Sequence, residues 1–324
     1  MHLINRILRK ALNYGKPPTA KEALRLYDTP PEDFLDLLSA AHQLRLRHKG
    51  RKVNLCSIVN AKSGRCAEDC KFCAQSAYYS TDIATYPLLS EDEIVGAARA
   101  SHQAGAREFS IVTSGKGLKK REEIETLKRS IGRITGEGLL PCASLGILKT
   151  DILHELKRAG LGKYHHNLET SRSFFPRICS THDYEEDVET IRTAKEMGFY
   201  VCSGGIFGIG ENRSDRIELA LTLAELKVDS VPLNFLNPIK NTPLEGLACL
   251  DPVEILKTVA IYRLILQDKD IVICGGRMVN LRETHPLLLL AGANGLLTGD
   301  YLTTQGRNPE DDRRLIQDLG LDLP

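Results

Sequence analysis

The chain predicts a single (β/α)8 barrel, an α/β fold of the TIM type, on three observations. From Val53 onward, eight short apolar runs alternate with amphipathic stretches, the pattern of parallel strands joined by helical crossovers. A length of 324 residues suits one large barrel. A cysteine cluster follows the first run, at the strand end where such barrels carry their reactive groups. A doubly wound sheet is the rival arrangement of the same alternation.

Residues 1–50 read as a helical extension outside the barrel, carried by INRILRKAL, AKEALRLY and FLDLLSAAHQLRLR. The barrel is expected over 51–307. Its strands are VNLCSIV from Val53, EFSIVTS from Glu108, LPCASLG from Leu140 and YHHNLET from Tyr164. FYVCSGGI from Phe199, SVPLNFL from Ser230, DIVICGG from Asp270 and NGLLTG from Asn294 complete the eight. Between them, Ser90 with Glu93 makes a capping box ahead of a helix ending near Gly105. Val188, Ile191, Ala194 and Met197 share one helical face that stops at Gly198. Ile255, Val259, Tyr262 and Ile265 mark another helix, and EDDRRLIQDLGL a closing one within a tail of 308–324.

The 43 basic and 42 acidic residues leave a net charge of +1 with no long basic run, so nothing points to nucleic acid. Charges interrupt the apolar residues of MHLINRILRKALNYGK, which therefore lacks a signal-peptide core. The longest apolar run, near Leu287 to Leu290, is too short for a bilayer. A cytoplasmic protein with no membrane segment is expected. Nine cysteines without a secretion signal argue for metal binding or catalysis rather than disulfides.

Cys66, Cys70 and Cys73 form GRCAEDCKFCAQ, spaced C-x3-C-x2-C with no fourth cysteine or histidine close by. Thiolates select zinc, copper(I) or iron–sulfur clusters, and a closed zinc site would want a fourth ligand. With Phe72 before the last cysteine, the run resembles the radical S-adenosylmethionine (SAM) motif. That resemblance implies a [4Fe-4S] cluster whose open iron binds SAM; part of a zinc knuckle is the plainer alternative. Of the other six cysteines, Cys56, Cys142, Cys202 and Cys274 fall on the first, third, fifth and seventh predicted strands. One strand cysteine is ordinarily a small buried hydrophobe. Four on alternate strands share a layer of a barrel interior, so a second iron–sulfur site is expected there. Cys179 and Cys249 lie in loop-like sequence and are expected to be unliganded.

Beyond the triad, five segments resemble the biotin synthase family in order and spacing. They are NAKSGRCAEDCKFCAQS, YHHNLETS, VCSGGIFGIGE, SVPLNFLNPIKNTPLE and AGANGLLTGDYLTT. The resemblance implies a sulfurtransferase that converts dethiobiotin to biotin. SAM is cleaved to methionine and a 5′-deoxyadenosyl radical, and an auxiliary cluster donates the sulfur. It further implies a homodimer and a flavodoxin or ferredoxin as reductant. Residue by residue, Cys66, Cys70 and Cys73 match the SAM-cluster ligands. Asn167 and Asn234 match positions that hydrogen-bond the ureido ring of dethiobiotin. Glu169 matches a position near ribose and substrate. Gly204, Gly205, Gly208 and Gly210 lack dinucleotide-loop spacing and suit close backbone approach to SAM, with Ile206 against adenine. His165 and His166 are adjacent strand residues and point to opposite faces, so no shared metal is expected.

The family's usual auxiliary site is a [2Fe-2S] unit on three cysteines and an arginine. Cys142 and Cys202 match two of them, whereas Ser110 and Val272 stand at the third cysteine and the arginine. Cys56 and Cys274 are the compensating additions, Cys274 being on the same strand face as Val272. Four thiolates suit a 4Fe cluster, which is the expected type here, with an extra sulfide as the candidate donated atom. Asp187 stands where the family often has an arginine for the SAM carboxylate, which leaves that partner unassigned. Related radical-SAM barrels of the hydrogenase-maturase or methylornithine-synthase type are the alternative enzyme class, and an iron–sulfur electron carrier the alternative outside enzymes.

Overall fold

The computed structural model of the protein describes residues 2–323. Met1 and Pro324, the outer ends of the expected extension and tail, lie outside the described residues. The strands are β1 (Asn54–Lys62), β2 (Glu108–Thr113), β3 (Leu140–Ser144), β4 (Lys163–His165) and β5 (Tyr200–Cys202). They continue with β6 (Gly205–Phe207), β7 (Ser230–Phe235), β8 (Asp270–Ile273) and β9 (Gly295–Leu297). All pair in parallel in the order β5-β4-β3-β2-β1-β9-β8-β7-β6, and a further pairing of β5 with β7 closes the sheet into a barrel.

β5 and β6 are two halves of one stave, so the barrel has eight staves, as the apolar runs predict. The single run FYVCSGGI breaks at Ser203–Gly204 because its neighbours crowd it from both sides. A Cβ on Gly204 would lie 1.9 Å from the carbonyl oxygen of Pro232, and one on Gly205 2.4 Å from that of Glu169. The close approach that these two glycines permit is therefore made by the chain's own backbone. YHHNLET is a strand only through His165. Past it the chain turns inward, and Glu169 adopts φ +63, a left-handed conformation uncommon outside glycine.

Outward-facing strand residues such as Phe109, Ile111, Tyr164, Val201 and Leu233 are buried under the surrounding helices, as expected for a parallel sheet covered on its outer face. The helix Glu91–Gln103 starts at the predicted Ser90–Glu93 capping box, and Tyr184–Glu196 and Arg213–Glu225 carry similar boxes from Asp183 and Asn212. Helix Pro252–Leu266 is buried on almost every side, since the extension helix Phe34–Lys49 packs over it. Extension helices His2–Tyr14 and Ala20–Leu26 complete that layer. Two buried arginines join it to the barrel. Arg45 donates to the carbonyl of Ala293 at 3.0 Å and Arg263 to that of Gly292 at 2.8 Å, just before β9. The closing helix Pro309–Asp318 is fixed by Asp312, whose carboxylate pairs with buried Arg277. Among the described residues, no helix is long and apolar enough to cross a membrane.

Candidate active site

The barrel encloses a cavity of roughly 350 Å³ that opens at the C-terminal strand ends, within the range that accommodates a small molecule. Cys56, Cys142, Cys202 and Cys274 all line it. The pleat explains why. Cys56 and Ile58 face inward on β1, Ser110 on β2 lies level with Cys142 on β3, and Val272 precedes Cys274 by two residues. Each of the four thiols lies within electrostatic reach of two others, Cys56 of Cys142 and Cys274, and Cys202 of the same two. All four therefore surround the same cavity. Burial pushes the thiols of Cys56 and Cys142 well up, and those of Cys202 and Cys274 to about 12. They are therefore protonated at neutral pH, and binding a metal or cluster displaces those protons.

Beneath these thiols lies a cation. Lys163 pairs with Glu108 and sits 4.1 Å from the centre of the Tyr200 ring. Burial opposes its charge, but Glu108 and the nearby cysteines hold its ammonium above the ordinary range. Cys56 also donates to Glu108, at 3.4 Å.

The triad occupies the loop that follows β1. Cys56 is six residues before the end of that strand, so the loop lies beyond it, toward the C-terminal end of the barrel. Short-range hydrogen bonds shape the loop: Cys73 N–H donates to the Cys70 carbonyl at 2.9 Å and Ala77 N–H to that of Cys66 at 2.8 Å. Cys73 and Phe72 reach the cavity. Burial raises Cys73 to about 11. Phe72 and Ile206 pack with Phe174, Ile178, Ile209 and Leu236 in a small apolar cluster at the cavity mouth.

Asn167, Glu169 and Asn234 line the same cavity. The amide oxygen of Asn167 accepts from Gly204 N–H at 3.1 Å, and that of Asn234 from Gly275 N–H at 2.9 Å. A backbone N–H only donates, so the amide orientations are fixed. Each NH2 also makes one 3.3 Å hydrogen bond, Asn167 to Glu169 Oε2 and Asn234 to the Gly205 carbonyl, which leaves each a second N–H for a ligand. Burial raises the Glu169 carboxyl to about 7, partly offset by a hydrogen bond from Asn167. His165 lines the cavity, while His166 points outward to Asp187 at 2.7 Å. The two rings do point in opposite directions.

Asp187 is buried and takes hydrogen bonds from His166 and, at 3.2 Å, from His182. Burial works against its charge, but those two rings hold its carboxyl below the usual range. Cys179, expected to be an unliganded cysteine in a loop, lies buried with its sulfur 3.8 Å from that of Cys70. A hydrogen bond donated by the Cys70 thiol pushes Cys179 down to about 5 and Cys70 up. Sequence reading missed this neighbour because 109 residues separate the two. Its one sequence signal is the spacing Cys179-x2-His182. Cys249 is exposed and does not line the cavity.

The donor sets suit the groups expected of them. Three thiols at the mouth leave one position of a cubane open, and an all-thiol set at the floor is the chemistry of an iron–sulfur cluster.

Comparison with known proteins is consistent with this layout. Residues 61–223 match the Radical SAM superfamily, and residues 232–322 the Biotin and Thiamin Synthesis associated domain. The chain is 54% identical over 303 residues to biotin synthase of Pelobacter propionicus, covering 93% of this chain and 92% of the relative. It is 50% identical over 320 residues to that of Geobacter sulfurreducens, covering 98% and 96%. Among solved structures, a methylornithine synthase superposes with TM-score 0.84 at 21% identity, covering 99% of this chain and 97% of the other. The FeFe-hydrogenase maturase of Carboxydothermus hydrogenoformans gives 0.83 at 17%, covering 99% and 79%. At such identities these two structures speak to the fold alone.

Proposed function

The chain belongs to the biotin synthase family of radical SAM enzymes, and from that premise we propose how its own residues divide the work. The reaction is sulfur insertion into dethiobiotin to give biotin. When bound, a [4Fe-4S] cluster with SAM supplies the 5′-deoxyadenosyl radical and methionine, and an auxiliary iron–sulfur cluster supplies the sulfur.

Cys66, Cys70 and Cys73 would hold the SAM cluster at the cavity mouth. Phe72 and Ile206, in the apolar cluster beside it, would flank adenine. Asn167 and Asn234 would donate to the ureido carbonyl, since their own amide oxygens are already committed to Gly204 and Gly275. Their role as donors follows from that backbone geometry. Glu169, at the inward turn after β4, would accept from ribose hydroxyls. The barrel wall excludes water, which a carbon radical requires.

Cys56, Cys142, Cys202 and Cys274 would hold the auxiliary cluster, of a 4Fe type. The observation that carries this reading is that all four thiols line one cavity, with Ser110 and Val272 beside them offering no comparable ligand. Lys163 beneath the thiols supports it, because a fourth thiolate in place of an arginine adds negative charge that a buried cation offsets. A flavodoxin or ferredoxin reductant, a homodimeric state and a cytoplasmic location belong to this proposal as family expectations.

Anaerobic turnover of dethiobiotin with SAM, a reductant and protein reconstituted with isotopically labelled sulfide tests the reading. Labelled biotin formed with methionine and 5′-deoxyadenosine is expected. Unlabelled biotin, or full sulfur insertion by Cys274→Ala, would overturn the assignment of the donor site.

A further inference from the structure

Beside the triad lies a second set of metal-ligating side chains, which shares no residue with either cysteine group but adjoins Cys70. One carboxylate oxygen of Glu68, the sulfur of Cys179 and Nδ1 of His182 lie within 4.8 Å of one another, with Glu68 and Cys179 buried. His182 Nδ1 is 2.6 Å from Glu68 Oε2 and 3.3 Å from Cys179 Sγ. We propose that these three residues bind a thiophilic divalent ion, zinc or ferrous iron, which clamps the triad loop to segment 177–183.

The donor set is one that such ions take: a thiolate, an imidazole and a carboxylate. Ligand atoms on one tetrahedral ion stand about 3.3–3.8 Å apart, given bonds of about 2.0–2.3 Å, so a small outward shift of Glu68 admits it. The surroundings complete the pattern. A metal-bound histidine ordinarily gives its other ring nitrogen to a carboxylate, which fixes its tautomer and orientation. Here Nε2 of His182 faces Asp187 Oδ2 at 3.2 Å, and Asp187 is itself held by His166 at 2.7 Å. Glu68 is steadied by the Thr181 hydroxyl at 2.7 Å. Asp187, which cannot serve the SAM carboxylate as an arginine would, thereby has a defined role as a positioning residue.

The clamp joins segments that backbone contacts already align. Lys71 N–H donates to the Ile178 carbonyl at 3.0 Å, and Asp69 accepts from Ser180 N–H at 2.8 Å. The fourth position of the ion faces Cys70, whose sulfur lies 3.8 Å from that of Cys179. That is the separation of two thiolates on one tetrahedral ion, so Cys70 closes the site until a cluster claims it. Binding involves no redox step and displaces the proton carried by His182 Nδ1.

Zinc is the probe, because its X-ray absorption edge is separate from that of cluster iron. The anaerobically reconstituted enzyme is incubated with zinc, gel-filtered and examined at the zinc K edge. One zinc per chain is expected, with one or two sulfurs at about 2.3 Å and the remaining ligands nitrogen or oxygen at about 2.0 Å. Asp187→Asn should weaken retention about 10- to 100-fold with iron content and the SAM-dependent EPR signal retained, and Cys179→Ala should abolish it. Three or more sulfurs around zinc would place it among the other cysteines and overturn the proposal. Failure of the folded wild-type enzyme to retain zinc would do the same, as would retention unchanged by Cys179→Ala.

Discussion

Glu169 stands on an inward turn whose left-handed backbone is held by its neighbours: its carbonyl accepts from Ile206 N–H at 2.8 Å. What exposure its side chain has is to the cavity, and burial raises its carboxyl from 4.5 to about 7. A carboxyl raised on folding stabilises the fold while protonated. That contribution is full below the unfolded value and is lost as pH climbs through 7, amounting to at most about 3 kcal/mol. The cluster-free protein should therefore melt at progressively lower temperature between about pH 5 and 8, and Glu169→Gln should flatten that slope. Equal slopes in the two proteins would contradict the assignment. Asn234 offers a second test at this scale. Removing its donor in Asn234→Ala should cost about 1–1.5 kcal/mol, a rise of about five- to thirteenfold in the KM for dethiobiotin. Steady-state kinetics showing a fall in kcat with KM unchanged would argue against ureido recognition.

The closing helix Pro309–Asp318 depends on one buried ion pair, Arg277 with Asp312. Asp312→Asn leaves a buried guanidinium without its counter-charge and should cost about 3–5 kcal/mol, read as a lower denaturation midpoint. Glu310→Gln, exposed on the same helix, should change it little; equal effects would mean that the pair is not what fixes the helix. Elements with local signals were legible in the chain. The Ser90–Glu93 box, the apolar face ending at Gly198 and the period-2 placement of Cys56 and Cys142 all depend on neighbours a few residues away. Arg277 with Asp312 was not, because a charged residue met in sequence reads as solvent-facing until its partner, 35 residues on, is known. The break between β5 and β6 was hidden for a similar reason: crowding by Pro232 and Glu169 is a tertiary fact.

At the scale of the whole molecule, the barrel places one cysteine group at the mouth and another toward the floor, with a cavity between them. That division was legible because motif spacing identifies the triad, while strand alternation sends four separate cysteines inward. Cys179 escaped the same reasoning, since a loop has no periodicity from which to read its direction. The role of Lys163 also emerges only from closure of the barrel, which brings β2, β4 and β5 together beneath the thiols. The central claim is that the four floor thiols hold a four-iron cluster independently of the mouth. Mössbauer spectroscopy on anaerobically reconstituted protein with Cys66, Cys70 and Cys73 all changed to alanine isolates that site. About four irons per chain with a cubane-type spectrum is the predicted result, whereas two irons with a [2Fe-2S] spectrum, or no bound iron, would contradict it.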